Sequence, residues 1–110
     1  MKTNNIYTAY VSWGPDGERR PVLVVKDRQE RVYCYKITSQ YRNKSDQIKQ
    51  NYFPLNDWRH EGLKVQSYVD IGCMVPLDKK RTRFYYVGEL TLNDTRQLIE
   101  FIRNRYSLQH

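Results

Sequence analysis

Apolar residues come in short, alternating or clustered runs until about Leu90, and only beyond it does a helical period take over. Residues 6–13 are β-branched, aromatic and small, which predicts a strand, and Gly14, Pro15, Asp16 and Gly17 form a dense turn signal that ends it. Glu18, Arg19 and Arg20 then read as loop. Pro21 suits a strand start, where its missing donor does least harm, and residues 22–25 read as a strand buried on both faces. After a polar connection over 26–31, residues 32–38 alternate Val, Cys, Lys and Thr with Tyr, Tyr and Ile, so Lys36 and Thr38 share one face of a strand. Residues 39–53 are polar and without a period, a long loop with room for a short helical turn. A turn over 56–62, a strand over 63–74 closed by Pro76, a basic turn and a short strand over 84–87 follow. At the end, Thr91 and Asp94 fit a capping pattern, and Leu98, Ile99, Phe101, Ile102 and Tyr106 give a helix one apolar face.

Short strands first and one helix last predict a mainly β (α+β) domain: a small, strongly bent antiparallel sheet or barrel with a C-terminal helix. No repeat or linker divides residues 1–110, so one domain is expected. A chain of this length buries about two thirds of its unfolded surface, and an elaborate site would share that core with a partner subunit.

Composition narrows the partners. Nineteen Lys and Arg against twelve Asp and Glu give a net charge of +7, which attracts polyanions: nucleic acid or an acidic protein. Ten tyrosines within an aromatic content of 14% argue for a folded core and against a disordered basic tail. Cys34 and Cys73 sit in apolar or alternating stretches without metal-ligand spacing and are expected to be buried free thiols, with no metal or other cofactor. No apolar run is long enough to span a bilayer, and the N-terminus has no signal-like apolar block, so the expected location is cytoplasmic, with no membrane contact.

Candidate chemistry gathers in three places. Arg20 offers a planar fork of donors to phosphate oxygens and keeps its charge near neutral pH, which also makes it a poor general base. The loop after Thr38 interleaves Tyr41, Tyr52 and Phe53 with Arg42, Lys44 and Lys49, and Trp13 borders the turn before Arg19, a composition suited to single-stranded nucleic acid. Lys79 to Arg83 is a second basic cluster, open to RNA or to an acidic protein. His60, in a turn, is a proton-transfer candidate only if it faces the same groove, and His110 is terminal.

Three pieces in order resemble the MazF/PemK family of toxin endoribonucleases: Arg19-Arg20-Pro21 followed by a hydrophobic strand, the strand end "YKITSQ", and "EGLKVQSYVDIGCMVPLDKKR" leading to "VGELTLNDTRQLIEFI". The resemblance implies a compact SH3-like barrel, a homodimer, and metal-independent cleavage of single-stranded RNA (mRNA) through attack of the 2′-hydroxyl on the adjacent phosphate. It also implies inhibition by a cognate acidic antitoxin. It places the catalytic arginine at Arg20 and the catalytic hydroxyl at Thr38; by their own chemistry and position, Arg19, Ser39, Gln40, Tyr41, Arg42, Lys44 and Trp13 are the candidate RNA contacts. Where many members carry an acid followed by Gln, this chain has Gly72 and Cys73; Asp70, on the same strand face as Gly72, is the candidate replacement carboxylate beside Arg20, or a solvated edge residue. The general base stays open. Two other readings of the same barrel are a non-enzymatic toxin of the gyrase-poison type and a catalytically inactive RNA-binding barrel.

Overall fold

A computed structural model of the protein describes residues 1–107, with Trp13 described by its backbone alone; His110 lies outside the described residues. Six strands form one antiparallel sheet: β1 (Asn5–Trp13), β2 (Asp16–Asp27), β3 (Arg31–Thr38), β4 (Tyr52–Pro54), β5 (Tyr68–Asp78) and β6 (Tyr85–Glu89). Their spatial order is β4-β5-β3-β2-β1-β6. Two helices lie among the described residues, α1 (Asp46–Lys49) and α2 (Leu92–Ser107). The mainly β architecture with a closing C-terminal helix is as the pattern predicts.

The two faces of the sheet carry separate cores. Ile6, Leu23, Tyr35, Ile37, Phe53 and Val69 pack with Leu98 of α2 on one face, and Ala9, Val11, Val22, Val24, Val32, Cys34 and Leu77 pack on the other. The alternating side chains of β2 serve both, so residues 22–24 are buried on both faces as expected, while Val25 is only partly buried. Register breaks between Val24 and Lys26, between Tyr35 and Lys36, and between Ile6 and Tyr7 bend the sheet.

Several boundaries differ from the sequence reading, each for a physical reason. β2 begins at Asp16, since Gly14 and Pro15 alone make the hairpin turn and Gly17 to Arg20 continue the ladder with β1. The segment before Tyr68 belongs to no strand; β5 instead runs from Tyr68 to Asp78 and includes Pro76, which pairs with Tyr33 beyond the reach of β4. The loop after Thr38 holds α1, capped by Ser45, and its end becomes β4. On α2, Leu98, Phe101 and Ile102 turn to the core while Ile99 and Tyr106 are exposed, a narrower buried face than the spacing suggests. Cys34 is buried, but Cys73 is only half-buried, at a bulge of β5.

The helix start is held by an unusual carboxylate set. Thr91 Oγ1 accepts from Asp94 N as the N-cap. Asp94 does not reach back to Thr91 N; its carboxylate accepts from the backbone of Asn56 and Asp57, and Glu61 takes Thr91 N at 2.9 Å. Glu61 and Asp94 are both fully buried. A Cβ on Gly88 would lie 2.3 Å from the Glu61 carbonyl, so β6 presses directly on this turn. Burial first, and then the nearby Asp94 and Asp57 charges, push the Glu61 carboxyl up to about 8.

A raised carboxyl pKa means the folded chain holds a proton that the unfolded chain releases above its ordinary value of 4.5. Stability from this group is therefore full in acid and lost as pH rises toward about 8. Replacing Glu61 with Gln, which mimics the protonated acid, should flatten this slope. Thermal melts between pH 5 and 9 should show the variant gaining on the parent at alkaline pH by on the order of 2 to 4 kcal/mol. Parallel melting curves would refute the buried-proton account.

Candidate RNA-binding groove

β2 pairs with β1 from Asp16 to Leu23 but with β3 only from Val22 to Asp27. Pro21, which has no N–H to donate, sits where the second ladder stops. Beyond it β3 ends at Thr38 and the chain turns away, and a groove of about 300 Å³ opens, lined by Arg20, Lys36, Thr38, Gln40, Lys44 and Tyr52.

Strand alternation aims these side chains together. Tyr52 pairs with Asp70, Asp70 with Lys36, and Lys36 with Val22, one row across four strands. In the next row Pro54 pairs with Tyr68, and Tyr68 with Thr38, with Arg20 one step along β2 from Val22 on the same face. Arg20 faces Ala9 across the β1 ladder, its side chain is only 16% exposed, and its guanidinium meets the carboxylate of Glu18. Gln40 N donates to Thr38 Oγ1 at 3.0 Å, which uses one acceptor position of the hydroxyl and leaves its proton to give. Burial, followed by the charge of Asp70, raises the Tyr52 phenol further above its ordinary pKa, so it keeps its proton at neutral pH.

Not every candidate joins the groove. Arg19 points to the opposite face from Arg20: its Nη1 donates to Thr8 O and Arg83 O, and its guanidinium lies 4.9 Å from the Tyr85 ring. It ties the basic turn after β5 to the sheet. Lys79 of that turn pairs with Asp27. Asp70 accepts from Gly72 N at 2.9 Å and stands in the Tyr52–Lys36 row. His60 is exposed in the turn after β4, away from the groove lining.

Ser39, Gln40, Tyr41 and Arg42 line a second, adjoining cavity of about 490 Å³ that shares Gln40 with the first. Tyr41 stacks on Tyr68 with ring centroids 4.4 Å apart and planes 9° from parallel, and Tyr52 lies just over 6 Å from both. Lys49 sits 4.8 Å over Tyr41. Sequence reasoning missed Glu18, Lys36 and Tyr68 as site residues. The shared parity of Lys36 and Thr38 is the one local signal that pointed to any of them.

Mycobacterium tuberculosis toxin MazF-mt6 has a solved structure that superposes with a TM-score of 0.70, over 94% of this chain and 96% of that one, at 19% sequence identity. The chain has a MazF-like fold. No protein-family model and no curated protein matches it. Among the described residues, no cluster of His, Cys, Asp and Glu is arranged to hold a metal ion, and no helix is long and apolar enough to cross a membrane.

In this MazF-like sheet the glycine at position 72 has a packing reason. Between the pairs Tyr35–Met74 and Lys36–Asp70, residues 71–73 bulge out of the β3 ladder, and Ile71 N donates to Asn51 O instead. A Cβ on Gly72 would lie 2.7 Å from Asn51 Nδ2, and the same Asn51 accepts from Arg105 Nε of α2 at 2.9 Å. An acid here would displace Asn51 and release Arg105. Gly72→Asp should therefore destabilise the fold by about 1 to 3 kcal/mol in urea denaturation. Most of that loss should disappear when Asn51 is already Ala; additive losses would mean that Asn51 is not what excludes a side chain.

Proposed function

We propose that the protein is a MazF-like toxin that cleaves single-stranded RNA in this groove, without a metal, and is held in check by an acidic antitoxin. The observation that carries the reading is the convergence of Arg20, Lys36 and Thr38, from two strands, on one groove next to paired tyrosines. A scissile phosphate seated there meets the Arg20 fork, the Thr38 hydroxyl and the Lys36 ammonium, and flanking bases meet the tyrosines.

In this reading the substrate's own 2′-oxygen forms a bond to phosphorus while the bond to the 5′-oxygen breaks, leaving a 2′,3′-cyclic phosphate and a 5′-hydroxyl. Charge grows on the non-bridging oxygens of the phosphorane, and Arg20 and the Thr38 hydroxyl donate to them there. Glu18, half exposed and already against Arg20, takes the 2′-hydroxyl proton, a task for which an arginine is too basic. Tyr52, protonated and buried in the groove wall, gives a proton to the leaving 5′-oxygen. The +7 charge supports an acidic antitoxin segment as the competing occupant of the groove. The protein would act in the cytoplasm as a homodimer.

The test is end-mapped cleavage of mixed single-stranded RNA in excess chelator. Arg20→Ala and Thr38→Ala should each lower the rate about 10²- to 10³-fold, and Glu18→Gln should lower it while sparing RNA binding. Bound but uncut RNA would favour an RNA-binding barrel without catalysis. Growth arrest with neither binding nor cutting would favour a non-enzymatic toxin.

A further inference from the structure

The two ends of the groove differ in chemistry. Glu18 stands on β2 one same-face step beyond Arg20 toward the β1–β2 hairpin, and Asp16, exposed, is one step further. Tyr52 stands at the opposite end, on β4, three strands across the sheet, with Lys36, Thr38 and Arg20 between them. Its neighbours are Tyr41 and Tyr68, whose ring centroids lie 6.2 and 6.3 Å away. Those two rings and Arg42 line the adjoining cavity of about 490 Å³. One end is acidic, and the other is aromatic and basic.

Cleavage through the 2′-hydroxyl gives this contrast a direction. The attacking 2′-oxygen and the leaving 5′-oxygen take opposite sides of the phosphorus. The first belongs to the nucleotide on the 5′ side of the scissile phosphate, and the second to the nucleotide on its 3′ side. A carboxylate at one end of the groove and a protonated phenol at the other therefore assign the two nucleotides to the two ends. Electrostatics points the same way: Asp16 and Glu18 disfavour the phosphates of a long 5′ arm, whereas Arg42, and Lys49 placed 4.8 Å over Tyr41, attract those of a 3′ arm.

We infer that RNA crosses the groove with its 5′ side at the hairpin and its 3′ side at the tyrosines, and that the cavity lined by Tyr41 and Tyr68 is a subsite for a base 3′ of the cut. The inference rests on the RNA reading above and on the roles given there to Glu18 and Tyr52. Tyr41 is half-buried and already lies flat on Tyr68, so its ring is held in place before a base arrives and little ordering remains to be done on binding. Stacking accepts every base, so the subsite fixes the direction of the strand without choosing its sequence.

The test reads cleavage at one phosphate, at a site taken from the end-mapped cuts, so that every base has a known side. Bases are removed singly on either side of it, by an abasic ribose that keeps the 2′-hydroxyl, and kcat/KM is measured with the parent protein and with Tyr41→Ala. On the 3′ side, one abasic position should cost the parent about 5- to 100-fold and the variant less than about twofold. On the 5′ side the two losses should simply multiply. Tyr41→Leu, which keeps apolar bulk in the loop, takes over if the Ala variant fails to fold. Coupling on the 5′ side, or on neither side, overturns the inference and leaves the RNA reading standing. If no RNA is cut, both fall.

Discussion

The groove exists because the two hydrogen-bond ladders of β2 are out of step. A strand paired on both sides over its whole length would leave no opening between β2 and β3; here Asp16 to Pro21 keep β1 and lose β3. Proline is the residue for the handover, since it cannot donate to a partner that is not there. The same offset explains why an arginine can stand in a central strand at all. Arg20 is ladder-paired only with Ala9 of β1, whose methyl group leaves room for its stem, and its side chain stands on the groove face with Lys36 and Thr38.

A sheet opened in this way needs support from its other face. The Thr91 cap, the Asp94 bonds to the Asn56 and Asp57 backbone, and Glu61 on Thr91 N weld the start of α2 to the turn before β5. Asn51 and Arg105 make a similar joint at the far end of the helix, reaching the β5 bulge. Buried carboxylates are costly unless they are bonded or protonated, and this set uses both remedies. On the groove face Arg20 is largely covered and paired with Glu18, while Lys36 and Lys44 line the opening.

Local patterns revealed the elements that alternate or repeat over their whole length: β1, β3, the doubly buried part of β2 and α2. They failed where a strand carries charged residues for a reason outside itself. Glu18 to Arg20 look like loop, because their extended form comes from β1 and not from any propensity of their own. Tyr68 was read within a strand, yet its place beside Thr38 depends on register, which no single segment encodes. Arg19 and Arg20 are indistinguishable as letters, but the two-residue period sends one to Tyr85 and the other to the groove. Position 72 shows the opposite case: the departure from the MazF/PemK pattern was plain in the sequence, whereas its cause, Asn51, is twenty-one residues away.

The groove also gathers more positive than negative charge on one small surface. Arg20, Lys36 and Lys44 share one small opening, with Glu18 as the carboxylate set against Arg20. An anion that enters the opening meets this positive charge already in place. Whatever anion neutralises them therefore contributes to folding as well as to binding, by mass action. Two anionic ligands that compete for this opening would each raise the stability of the folded chain according to its own affinity and concentration.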